Sequence, residues 1–285
     1  MSVWLPTAPC TPKGCATHHG PVAGPVRAAV RLFAGLAAVA CGVLLAPLAA
    51  LLSAPGRHRL TRCWSRAVLR AFGVRVHVVG VPHGLRGSLV VANHISWLDI
   101  PLVAAALPGR MLAKSEVRSW PVLGLLAARG GTLFVERDRL RTLPATVATM
   151  AGALRDGSRV VVFPEGSTWC GRGGGRFRPA AFQAALDAGV AVQPVRITFS
   201  PTGAAAFVGD DPLLASLWRV ATAGALTAEI RLLAPILPGS LPDRRSLALA
   251  AQLAVESDRA NRPSSSVHQC VSSRPAARSS VRTPS

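Results

Sequence analysis

Read for hydrophobic periodicity, the chain runs from an apolar stretch through an amphipathic one into an alternation of short strands and helical periods. Leu32 to Leu52 (LFAGLAAVACGVLLAPLAALL) is 21 residues without a charge. As a helix it would measure about 31 Å, enough to cross a hydrocarbon core. Seven alanines and Pro47 weaken it, so spanning and re-entrant insertion both stay open. A cleaved signal peptide, suggested by the SAPG that follows, fits poorly with Arg57, Arg59 and Arg62 directly after the run. Membrane attachment is the better reading. In RHRLTRCWSRAVLRAF, Leu60, Trp64, Val68 and Phe72 share one helical face, with Arg62, Arg66 and Arg70 in a stripe beside it. That pattern suits an interfacial helix on anionic head groups, and equally a helix packed on the domain with a solvated basic face.

From Val74 the period changes. VRVHVV (74–79), SLVVA (88–92), RMLAK (110–114), TLFVE (132–136), RVVVF (159–163), VAVQPVRIT (190–198) and AEIRLL (228–233) read as strands. Helical spacing lies between them, as in Leu140, Leu143, Val147, Met150 and Leu154, ended by Asp156-Gly157. The expected fold is α/β: a mixed, mostly parallel sheet flanked by helices, preceded by a membrane-associated helical segment. The boundaries are a tail over 1–25, membrane-associated helices over 26–72, the main domain over 73–260 and a Ser/Pro/Arg-rich tail over 261–285. Both tails read as unstructured.

Charge changes the picture next. The chain carries +19, almost all of it arginine, since Lys13 and Lys114 are the lysines. Asp99 is the first carboxylate in the sequence. The surplus implies an anionic partner, membrane surface or nucleic acid. Nucleic acid is the weaker choice, because a chain with no Tyr and 8 Phe has few rings to stack on bases. The six cysteines show no CxxC pairing and read as reduced thiols in the cytoplasm. Cys10, Cys15, His18 and His19 make a zinc site on paper, but their spacing matches no common finger, and no metal is expected.

Candidate chemistry begins where SLVVA ends, at Asn93-His94 followed by Asp99. Strand ends are where α/β folds place working residues. A carboxylate one turn on can accept the imidazole Nδ1–H, fix the tautomer and leave Nε2 as a general base. No GxSxG elbow accompanies the pair, which argues against a serine hydrolase, and Ser96 is too close in the backbone to serve as nucleophile. The base must act on a hydroxyl brought by the substrate. Gly171 to Arg176 (GRGGGR) lacks the Gly-Lys-Ser/Thr ending of a Walker loop. It reads as an arginine-rich lip over the site. Ser119 to Ala128 (SWPVLGLLAA) reads either as core or as a lining for an acyl chain.

Four segments in order resemble the phospholipid and glycerolipid acyltransferases. They are Asn93-His94…Asp99, Gly131…Phe134…Arg137, Phe163-Pro164-Glu165-Gly166-Ser167 and Pro194-Val195. Lys114, Glu116, Pro121 and Gly124 look like that family's stretch between the first two motifs. The resemblance covers roughly residues 60–235. It implies a membrane-bound O-acyltransferase using acyl-CoA or acyl-carrier protein as co-substrate, without a cofactor, at the cytoplasmic face of the cell membrane. The implied acceptor is 1-acylglycerol 3-phosphate, giving phosphatidic acid. It also implies catalytic roles for His94 and Asp99 and substrate contacts from Asn93, Lys114, Arg137, Glu165, Gly166, Ser167 and Thr168. One departure matters. Many lysophosphatidate-using members have Glu-Gly-Thr-Arg where this chain has Glu165-Gly166-Ser167-Thr168. Arg172, Arg176 or Arg178 would have to replace the arginine, or the acceptor is another lysolipid such as lyso-ornithine lipid. A degenerate relative acting as a lipid-binding scaffold is disfavoured by the intact His/Asp pair.

Overall fold

The computed structural model describes residues 8–18, 20–49, 51–82, 87–120, 123–136 and 140–260. Seven strands, β1 Val74–Val79, β2 Ser88–Ala92, β3 Arg110–Lys114, β4 Leu133–Val135, β5 Arg159–Val162, β6 Val192–Ser200 and β7 Leu226–Leu232, form one sheet. Its order is β1-β7-β6-β2-β5-β3-β4. Strands β2 to β6 run parallel, while β7 lies antiparallel to β6 and parallel to β1. The sheet is mixed and mostly parallel, as the strand and helix alternation predicts. Among the described residues the α-helices are α1 Pro12–Cys15, α2 Pro25–Ala49, α3 Ala54–Ala71, α4 Asp99–Ala106, α5 Leu123–Arg129, α6 Leu143–Arg155, α7 Ala180–Ala188, α8 Thr202–Ala205, α9 Leu213–Thr222 and α10 Arg244–Ala260.

After their first residues, Ser88 and Arg159, the central strands β2 and β5 are apolar throughout, because helices cover both faces of the sheet. Val90, Ala92 and Val161 join one core with Leu69, Leu102, Val103 and Val220. Their neighbours Leu89, Val91, Val160 and Val162 join the other with Met150, Leu154, Phe182 and Ala251. Successive side chains of one strand thus feed opposite cores. Each fully buried Leu or Val contributes roughly 1.5–3 kcal/mol of transfer free energy.

Helix α2 is long and apolar enough to cross a membrane, and only 6% of its most apolar window is buried. Val26, Val30, Phe33, Leu44 and Leu48 stand exposed on it. Its inner side packs on α3 through glycines. A Cβ at Gly35 would enter the Phe72 ring, and one at Gly42 would enter the indole of Trp64. The Trp64 Nε1–H donates to the Ala38 carbonyl at 2.8 Å. Arg31 in α2 donates to the carbonyls of Ala221 and Ala223 at 3.2 and 2.6 Å. The apolar face of α3 therefore meets protein: Val68 and Phe72 are buried, while Arg66 and Arg70 remain exposed. Of the two readings of that helix, the packed one holds for this face.

Two further readings differ from what the structure places. Residues 8–18 and 20–24 carry α1 and bury Cys10, Cys15, Ala16 and Ala23, although their composition reads as tail. Thr11 caps α1 by accepting the Gly14 N–H. In the SWPVLGLLAA stretch Trp120 and Leu125 do not enter the core, since both are nearly half exposed. Pro121 and Val122 lie outside the described residues.

Candidate active site

The neighbouring parallel strands β2, β5, β3 and β4 end at one edge of the sheet. Asn93-His94 follows β2, Phe163 to Thr168 follows β5, and Lys114 closes β3. Arg137, beyond β4, lies outside the described residues. Strand direction alone therefore gathers three segments that are far apart in sequence.

His94 Nδ1 and Asp99 Oδ2 lie 2.7 Å apart. The same oxygen accepts the backbone N–H groups of Ile95 and Ser96 at 2.6 and 2.8 Å. Asp99 is wholly buried at the first turn of α4, and the His94 side chain keeps 20% exposure. A carboxylate held by two amides is fixed as an acceptor, so Nδ1 carries the proton and Nε2 the lone pair. Nε2 makes no hydrogen bond among the described residues. The Phe163 ring stacks on the imidazole with centroids 4.2 Å apart and fixes its plane. The hydroxyl of buried Ser96 accepts the Leu98 N–H at 3.2 Å, a turn-forming role.

The β5 loop holds the backbone of His94 at both ends. Glu165 Oε2 accepts the His94 N–H at 2.8 Å, and the Trp169 N–H donates to the His94 carbonyl at 2.7 Å. Glu165 Oε1 accepts the Gly175 N–H at 3.0 Å. The carboxylate, 3% exposed, ties the glycine-rich turn to the base. Gly175 is a close approach, since a Cβ there would enter the Trp169 indole. Gly166 at φ 78° makes the turn that a side chain would strain. Asn93 spends its amide on β6, donating to the Ile197 carbonyl at 2.9 Å and accepting the Ile197 N–H at 2.8 Å. It continues the β2–β6 ladder with its side chain.

Among the described residues the buried Ser167 hydroxyl has no hydrogen-bond partner. Thr168 is half-buried beside it, and Lys114, Arg172, Arg176 and Arg178 are exposed. Arg172 donates to the Gly14 carbonyl at 3.2 Å. Phe134 lies under the Arg118 guanidinium, 6.0 Å away. Sequence reasoning missed the Phe163 stack, the Trp169 clasp and the Trp97 anchor. Trp97 packs edge-on against Phe72, centroids 5.2 Å apart, and donates to Ser216 Oγ at 3.1 Å. Only the Phe of the FPEG segment signalled its role in the sequence, and that as a strand end.

The chain is similar to several known proteins. Residues 75–198 match the family model described as Acyltransferase. A lyso-ornithine lipid O-acyltransferase of Pseudomonas aeruginosa is 41% identical over 206 residues, 70% of this chain and 78% of that one. A 1-acyl-sn-glycerol-3-phosphate acyltransferase of Neisseria meningitidis is 36% identical over 179 residues, 61% of this chain and 70% of that one. The crystal structure of the 1-acyl-sn-glycerophosphate acyltransferase PlsC of Thermotoga maritima superposes with a TM-score of 0.65 at 20% identity. That match covers 84% of this chain and 98% of the other. The chain belongs to the acyltransferase family that holds these lysolipid acyltransferases.

Proposed function

We propose that His94 is the general base of a direct acyl transfer from acyl-CoA or acyl-carrier protein to the free hydroxyl of a lysolipid. The observation that carries this is a histidine oriented by buried Asp99, with its second nitrogen unclaimed. Nε2 takes the proton of the acceptor hydroxyl as the oxygen attacks the thioester carbonyl. The tetrahedral intermediate collapses, the C–S bond breaks, and the imidazolium returns the proton to the departing thiolate. Asp99 supports the cation that forms in between. No acyl-enzyme is needed, because the acceptor supplies the nucleophile. Ser167 Oγ, buried and unpartnered, is the donor offered to the substrate.

For the acceptor, we favour lyso-ornithine lipid. Its amino-acid head group carries no phosphate, which suits Thr168 where lysophosphatidate-using relatives have arginine. Arg172, one candidate replacement, is engaged with Gly14. The second reading, 1-acylglycerol 3-phosphate, is supported by the Neisseria relative and by exposed Arg176 and Arg178. Helix α2 would attach the domain to the cytoplasmic leaflet, and the +19 charge would favour anionic lipid.

The test offers labelled acyl-CoA or labelled acyl-carrier protein, with each acceptor in anionic or neutral vesicles, to wild type and Thr168→Arg. Transfer to lyso-ornithine lipid, faster on anionic vesicles at low salt, is expected. The arginine variant should gain transfer to lysophosphatidate. Wild-type transfer to lysophosphatidate alone would overturn the acceptor. No transfer from either acyl-CoA or acyl-carrier protein would overturn the reaction.

A further inference from the structure

Away from the catalytic pair, the N-terminal segment meets the β5 loop at three cysteines. The sulfurs of Cys10, Cys15 and Cys170 all lie within 4.8 Å of one another, and all three residues are buried. Val208 shares their cluster, with Ala8 and Trp169 packed against it. We propose that these three thiols bind one zinc ion, which staples the N-terminal segment to the loop that frames the base.

Three free cysteines can pack together simply as small apolar groups. Here the backbone does more than enclose them. The N–H groups of Arg172 and Gly173 donate to the Cys170 sulfur, and the N–H of Cys170 donates to that of Cys10. Gly171 at φ 77° makes the turn that brings those amides round. At Cys170 burial raises the thiol but these amides and the neighbouring thiols outweigh it, whereas at Cys10 burial prevails and pushes the thiol up to about 12, so the metal itself must displace that proton to gain a thiolate ligand. Tetrahedral zinc with Zn–S bonds of about 2.3 Å sets its sulfurs about 3.8 Å apart. Contraction from separations of at most 4.8 Å is within the reach of side-chain rotation. Binding would release three thiol protons and leave a net charge of −1, next to the Arg172 guanidinium that already holds the Gly14 carbonyl. The fourth position is left for water.

The cluster also has a mechanical position. Gly203 of α8 lies so close to the N-terminal segment that a Cβ would collide with the Thr17 carbonyl. Trp169, one residue before Cys170, donates its N–H to the His94 carbonyl. A metal at this point would hold the base through one peptide unit. The sequence pairs Cys10 with Cys15 on paper but gives no sign of the third ligand, Cys170, which lies 155 residues beyond Cys15 in the chain and which the fold brings beside them.

The experiment uses the full chain, reduced and purified in detergent. Metal content by mass spectrometry should be one zinc per chain in wild type and in Cys63→Ser, a control at an exposed cysteine, and near zero in Cys170→Ser. Cobalt(II) added to chelator-treated wild type should give thiolate-to-cobalt charge-transfer absorption saturating at one equivalent. Zinc should raise the unfolding temperature by several degrees, a readout independent of turnover and of any variant's folding. Substoichiometric zinc, no charge-transfer band and thiols that react with Ellman's reagent equally with and without zinc would overturn the proposal. So would a disulfide between any two of the three in freshly isolated protein.

Discussion

At the scale of single residues, the site is governed by where carboxylates go. The first two that matter, Asp99 and Glu165, are among the most buried acids described, at 0% and 3% exposure. Asp99 orients a ring; Glu165 orients a backbone. Glu165→Gln keeps the volume but replaces one acceptor oxygen with an amide that cannot accept the His94 or Gly175 N–H. Turnover should fall by about 10²-fold, as expected when a catalytic group is displaced by a fraction of its reach, with the donor KM little changed. Steady-state kinetics against acyl-CoA check this. An unaltered kcat would mean that the Glu165 bridge is ornamental to the chemistry. The His94–Asp99 relation was legible because both members lie within one turn of sequence. The Glu165–His94 bond was not, since it spans two strands, and Arg137 lies outside the described residues.

At the scale of elements, the strands show how much periodicity can tell. β1, β2 and β3 begin and end where alternation places them. β6 and β7 are each displaced by two residues at their starts, which are set by parallel neighbours, Val192 beside Leu89 of β2 and Leu226 beside Val74 of β1. The face of α3 was legible as apolar, but its partner was not: Gly35 and Gly42 carry no signal of their own within the apolar run, and they are the seats for Phe72 and Trp64. This contact continues from Phe72 to Trp97 and into the motif loop. Gly35→Leu should therefore unseat Phe72, lower the unfolding temperature and reduce activity together. The same enlargement at exposed Ala37 should change neither. Thermal unfolding and turnover of the two variants in one detergent decide the matter, and equal behaviour would sever α2 from the site.

At the scale of the molecule, the fold joins an exposed apolar helix, a basic surface and a sheet edge that gathers distant strand ends. Direct acyl transfer by a histidine base is the claim on which the rest depends. The measurement that tests it most directly is single-turnover transfer of a labelled acyl group by wild type and His94→Ala, with circular dichroism and unfolding temperature recorded on both. The account predicts an unchanged fold and no transfer above the enzyme-free rate in the variant, with no labelled protein trapped in wild type. Transfer by a folded His94→Ala protein, or a stable acyl-protein on the way, would contradict it.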